Sequence, residues 1–203
     1  MIEHLNPKEQ ARELIQVLND ITAECFGKDV PLEETIERFQ KADHLFLVIP
    51  ASEIIGYALN DELHLVVEGG IVKVNYWGSG FILPEYRGQG LYNRLNKERV
   101  EAIPFASVIM TRTQCPPVAV DFRRVCVQYG FEVVPAEDGS IDGRALLIAR
   151  AQFPSCTATL HCPKVYGREL MDKTPEPEGY AKIALADVDP KRGDARVLVG
   201  IRG

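Results

Sequence analysis

The sequence predicts an α/β fold of the mixed α+β kind, a central mixed sheet flanked by helices, and three observations carry that reading. Runs rich in branched apolar residues alternate with runs of helical spacing, and the two kinds are interleaved along the chain. A chain of 203 residues with 46% hydrophobic and 26% charged residues can bury one sizeable core. A glycine-rich turn, Arg87-Gly88-Gln89-Gly90, stands between a strand-like and a helix-like run.

Asn6-Pro7-Lys8-Glu9 opens the first helix, with Asn6 as N-cap, Pro7 at the first helical position and Glu9 placed for a capping box. Ala11, Leu14, Ile15, Leu18, Thr22 and Cys25 follow at helical spacing, and Gly27 stops the helix. A shorter helix is predicted from Pro31 to Lys41. His44 to Pro50 and Glu53 to Leu65 read as an antiparallel pair, and Ile71 to Leu83 as a long strand interrupted by Gly78-Ser79-Gly80. Leu91 to Ile103 is a helix, Phe105 to Thr113 a strand, and Pro117 to Tyr129 a helix ended by Gly130. Phe131 to Pro135 and Ala145 to Phe153 read as two more strands. Beyond Phe153, Pro163, Pro175 and Pro177 break the pattern, and Ile183 to Val188 with Arg196 to Ile201 read as a hairpin. The expected division is therefore a domain over 1–153 and an extension over 154–203, capping a cleft or adding strands at a homodimer interface.

Composition narrows the function. Net charge is −6, so a broad nucleic-acid surface is not expected. From Met1 to Glu62 there are thirteen acidic against five basic residues, whereas the chain from Gln152 has seven against eight; the first stretch reads as solvated helical faces. No apolar stretch is long enough for a membrane helix and the N-terminus lacks an export pattern, which makes the cytoplasm the expected location. Five cysteines at sparse spacing read as reduced thiols. Cys156, His161 and Cys162 alone approach metal-ligand density and lack a second paired arm, so no metal is expected.

The glycine turn is the functional signal. A helix N-terminus presents unpaired N–H groups and a positive dipole end, and glycine lets an anion come close to the backbone. The turn and its neighbours resemble the GNAT superfamily of acyl-CoA-dependent N-acyltransferases. Arg87, Gly88, Gln89, Gly90 and Leu91 match that family's pyrophosphate signature up to its last position, where Tyr92 stands in place of glycine or alanine. Ile82-Leu83-Pro84-Glu85-Tyr86 ahead of the signature and Tyr129-Gly130-Phe131 after the later helix add to the likeness, which covers roughly Met1 to Phe153.

The resemblance implies an N-acetyltransferase that moves an acetyl or other acyl group from acetyl-CoA to a primary amine, directly and in a ternary complex. It implies that strands 71–83 and 105–113 splay to admit the pantetheine arm, and that Phe81, Ile82, Leu83, Arg87, Gly88, Gln89, Gly90, Leu91 and Tyr92 bind the co-substrate. The family's usual acid is a tyrosine at a position held here by Cys126; a thiol with an ordinary pKa near 8.5 can protonate a leaving thiolate, and Tyr129 lies one turn onward. The candidate bases are Glu62, His64 and Glu68, on the segment before the long strand. The missing tyrosine leaves a second reading open, an acyl-CoA-binding or regulatory module with weak or no turnover.

Overall fold

The computed structural model describes residues 1–202. The chain forms two compact units, one of Met1–Glu62, Tyr76–Pro104 and Met171–Lys173, the other of Leu63–Asn75, Phe105–Leu170 and Thr174 onward. Two strands, β3 (Gly56–Val67) and β4 (Gly70–Ile82), run from one unit into the other.

In the first unit the strands lie in the order β1 (Ile2–Leu5), β2 (His44–Val48), β3, β4. β1 has no strong sequence pattern; it pairs antiparallel with β2, Ile2 opposite Val48 and Leu5 opposite Leu45. β2 and β3 form the expected antiparallel pair, His44 opposite Asn60 and Val48 opposite Gly56. Side chains alternate between faces along a strand. On one face Leu47 and Tyr57 stand opposite each other. There the Tyr57 hydroxyl lies 2.6 Å from the hydroxyl of Thr22 on α1 (Arg12–Phe26), and its ring lies 6.1 Å from that of Phe39 on α2 (Leu32–Lys41). On the other face Asn60 meets Arg99 of α3 (Leu91–Glu101). Covering both faces explains why Leu45, Phe46, Leu47 and Val48 are all buried, with no polar alternation.

The helix starts later than the sequence suggests. Asn6 caps a single 3-10 turn over Pro7–Glu9, accepting from the Lys8 amide at 3.0 Å and donating to Glu9 Oε1 at 2.7 Å, and α1 begins at Arg12. Gly27, in the left-handed conformation at φ 71°, closes it as expected.

In the second unit the order is β4, β5 (Val108–Thr113), β8 (Ala195–Ile201), β6 (Glu132–Val134), with β7 (His161–Cys162) also on β8. β8 pairs antiparallel with β5, Val108 opposite Ile201, and with β6, Val134 opposite Val199. α4 (Pro116–Gln128) sets Cys126 against β8 so closely that a Cβ on Gly200 would lie 2.9 Å from Cys126 Sγ, which only glycine avoids.

Three sequence expectations are corrected here. The segment from Ala145 is not a strand but α5 (Gly143–Gln152), capped by Asp142, whose carboxylate accepts from the Ala145 amide at 2.9 Å. The C-terminal hairpin is not formed: its first arm is α6 (Tyr180–Ala184) and a turn, and its second arm is β8. β8, which falls in the last fifty residues, lies between β5 and β6 in the sheet. β4 is continuous from Gly70 to Ile82, with no interruption at Gly78-Ser79-Gly80.

Candidate cofactor cradle

The cradle lies wholly in the first unit. β4 ends at Ile82, and a 3-10 turn over Pro84–Tyr86 reverses the chain, closed by the Tyr86 amide on Leu83 O at 3.0 Å and the Arg87 amide on Pro84 O at 3.2 Å. Gly88 (φ 78°) and Gly90 (φ 73°) are both left-handed, the second as N-cap of α3. No side-chain cap occupies this helix end, and the next bond of the ladder is Arg94 N to Gly90 O at 3.1 Å. The amides of Gly88, Gln89 and Gly90 are taken by no carbonyl of the turn. A Cβ built on Gly88 or Gly90 meets nothing within 4 Å, so both glycines border open space. The turn therefore presents a row of N–H groups at the positive end of a helix, with room in front of them.

Arg87 is exposed, yet its Nε donates to Ile82 O at 3.1 Å, which ties the base of the guanidinium to the strand and leaves its outer nitrogens turned from that bond. The Cys25 thiol donates to the same carbonyl at 3.3 Å, and burial pushes its pKa up to about 11 against the opposing pull of Arg87. Leu83 is held by its amide on Ile55 O at 2.9 Å, and Phe81 packs edge-on to Phe26 with ring centroids 5.2 Å apart.

Tyr92 departs from the glycine or alanine of the signature, and the structure shows how the unit accommodates it. A Cβ on Gly80 would lie 3.2 Å from Tyr92 Oη and 3.0 Å from Arg99 Nη1, so the ring reaches over β4 at a strand position without a side chain. Beside it Arg99 is only 1% exposed. Its Nε donates to Asn60 Oδ1 at 2.6 Å, Nη1 to Asn96 Oδ1 at 3.0 Å and Nη2 to Leu59 O at 3.1 Å, and its guanidinium stacks 4.6 Å from the Trp77 ring centre. Tyr92, Leu95, Asn96 and Arg99 follow the i, i+3, i+4, i+7 spacing of one helix face. A search for apolar stripes passes over that face because half of it is polar.

The candidate catalytic residues are less concentrated. Cys126 is 0% exposed beneath α4, and burial drives its thiol pKa far up, with Asp121 adding to the shift. Tyr129, at the C-terminus of the same helix, is half-buried, and its carbonyl accepts from Arg202 Nη2 at 3.1 Å. Glu68 is exposed on the turn between β3 and β4, at φ 49°. His64 is exposed on β3. Glu62, in the first unit, is exposed; its carboxylate lies 2.8 Å from His44 Nε2, its amide donates to Asp43 Oδ2 at 2.9 Å, and His44 Nδ1 lies 2.8 Å from His4 Nε2. Next to it on β3, burial and the Asp43 charge raise Asp61 to about 6, against Arg99, Lys41 and Lys8. Among the described residues no group of three or more His, Cys, Asp or Glu is placed to hold a metal ion, and no helix is long and apolar enough to cross a membrane.

No protein-family model matches the sequence, and no curated protein matches it. Solved structures do. An IAA acetyltransferase from Bacillus cereus is 10% identical, with 98% of this chain and 97% of that chain covered at a TM-score of 0.52. A Pyrococcus horikoshii protein is 15% identical over 67% of this chain and 92% of its own, at 0.50. A GCN5-related N-acetyltransferase from Kribbella flavida is 14% identical over 66% of this chain, at 0.49, and this chain spans 33% of its length. At such identities the likeness speaks for the fold, and in the first case it takes in the segment after Phe153.

Proposed function

Because the chain carries the fold of the GCN5-related N-acetyltransferases, we propose that it transfers an acyl group from an acyl-CoA to an amine. The observation that supports this best is the cradle: two left-handed glycines bordering open space, unclaimed amides and a helix N-terminus, behind a strand and an anchored arginine. These features fit a pyrophosphate, whose oxygens accept from backbone N–H groups at a helix end. Gly88, Gln89, Gly90 and Leu91 hold the phosphates, Arg87 adds charge from the side, and Phe81 to Leu83 supply the strand along which the pantetheine arm lies.

Acyl-CoA brings a thioester, whose carbonyl carbon takes the amine nitrogen as the C–S bond breaks and the thiolate gains a proton. The chain's part is to orient that carbonyl and to supply the proton. Of the two acid candidates, Cys126 is sealed under α4 with its proton held tightly, so the role falls to Tyr129, whose ring is half-buried. Acetyl-CoA is the first donor to test, and the acceptor is an amine of small molecule or peptide. Thiol release from acetyl-CoA across amines, amino acids, polyamines and peptides tests the reading. Turnover with any of them supports it, whereas binding of acetyl-CoA with no turnover across the panel favours the module without catalysis.

A further inference from the structure

Two buried thiols in the second unit lie outside everything assigned above. Thr157 and His161 face each other across a tight turn: the Thr157 amide donates to His161 O at 2.9 Å, and the His161 amide donates to Thr157 Oγ1 at 3.2 Å. Cys156 and Cys162 flank this pair, and their side chains lie within hydrogen-bonding reach of each other across the turn. A disulfide needs Cα atoms roughly 4.4–6.8 Å apart, a span that residues flanking such a turn can meet.

We propose that Cys156 and Cys162 are a redox-active dithiol, converted by a hydroperoxide into an intrachain disulfide across the Thr157–His161 turn. Arg196 acts on both thiols, with Arg150 beside Cys156 and Arg112 beside Cys162, and these charges favour the thiolate of either. One of the two sulfurs attacks the distal oxygen of the peroxide, the O–O bond breaks with hydroxide or alkoxide leaving, and that cysteine becomes a sulfenic acid; the other sulfur then attacks it, the S–O bond breaks and water leaves. Two thiols and one hydroperoxide give one disulfide, one alcohol or water, and one water.

The surroundings hold the pair in place. Arg150 Nε donates to Cys156 O at 3.2 Å, Arg196 donates to Thr159 O, and Cys162 pairs with Ala195 of β8. Cys156 is 3% exposed and Cys162 is 0%, yet Pro154, Ser155, Ala158, Thr159 and Pro163 around them are all exposed.

Both cysteines fall in one tryptic peptide, Ala151 to Lys164, which contains no other cysteine. The full chain, reduced and freed of reductant, is treated with hydrogen peroxide, denatured in N-ethylmaleimide and digested. The expected product is this peptide unalkylated and lighter by two hydrogens, restored to a doubly alkylated peptide by dithiothreitol. Recovery of the doubly alkylated peptide after peroxide, or of sulfinic or sulfonic acid at either position without the bridge, overturns the proposal. Cys156→Ser and Cys162→Ser are each expected to leave the remaining cysteine of this peptide alkylated or dimedone-trapped and unbridged; a loss of two hydrogens from this peptide in either variant overturns the proposal. Thermal unfolding under reducing conditions checks that both variants fold, and the wild-type mass shift decides the bridge without them.

Discussion

Replacing Arg99 by lysine tests the network that anchors α3, and with it the cradle at that helix's N-terminus. Arg99 is buried and makes three charge-assisted hydrogen bonds, to Asn60 Oδ1, Asn96 Oδ1 and Leu59 O, while stacking on Trp77. An ammonium is a point donor on a flexible stem and cannot reproduce a planar fork aimed at three acceptors. If it keeps one bond, two are lost at about 1.5–3 kcal/mol each, since their acceptors remain buried and unmet. Retained charge and adjustment of the amide side chains offset part of this, leaving a net loss of about 3–4 kcal/mol, a large share of the roughly 5–15 kcal/mol that holds a domain folded. In urea, with a slope of about 2 kcal/mol/M, the midpoint falls by about 1.5–2 M at unchanged slope. A fall below about 0.5 M in Arg99→Lys would mean that the fork is not what holds α3 to the strands.

Asp61 is raised by burial to about 6, above its unfolded value near 3.9, so the folded state binds the extra proton and its stability declines as pH rises from about 4 to 6. The full shift corresponds to about 3 kcal/mol, and partial exposure reduces it to about 1–2; Asp61→Asn is expected to be more stable by that amount at pH 7 and by almost nothing at pH 4, in urea melts at both pH values. An equal effect at the two pH values contradicts the titration. Gly80→Ala is expected to cost about 1–3 kcal/mol by crowding Tyr92 and Arg99, and less when combined with Tyr92→Leu, with a coupling of about 0.5 kcal/mol or more in a double-mutant cycle. Additive costs refute the packing of Tyr92 over that glycine. Cys126→Ala is expected to lose about 1–2 kcal/mol of stability and leave turnover within about twofold, while Tyr129→Phe lowers kcat by about 100-fold. A tenfold loss in Cys126→Ala would return the acid role to the thiol.

The parts of the fold governed by local chemistry are legible in the sequence. Gly27 ends α1 and Gly90 opens α3 because each stands where the chain turns left-handed, and the alternation of β2 and β3 survives as two covered faces. α5 was hidden because Ala145 to Ala149 is a continuous apolar run, which a buried strand and a buried helix share; the discriminating signal was Asp142, three residues before Ala145. β8 is legible as a strand, but its partners are β5 and β6, far off in sequence, and local turn chemistry around Pro190 and Gly193 points instead to a neighbour. At the candidate site, the glycines mark the left-handed turn that opens α3. Arg99 and Gly80 carry no such mark, because their roles arise only when α3 lies over the strands. Cys126 shows the reverse: its position in the sequence suggests chemistry, and its burial against Gly200 removes it from contact with solvent.

Binding of acetyl-CoA, followed by thermal unfolding and by calorimetry on wild type and on the double variant Arg87→Ala, Gly90→Trp, tests the cradle most directly. The glycines border open space, so a tryptophan at Gly90 fills the cradle at a stability cost of about 1–2 kcal/mol from its left-handed backbone. Wild type is expected to bind, with a midpoint that rises with acetyl-CoA concentration, and the folded double variant to show neither heat nor shift. No shift of the wild-type midpoint at millimolar acetyl-CoA, or an equal shift in the double variant, contradicts the account.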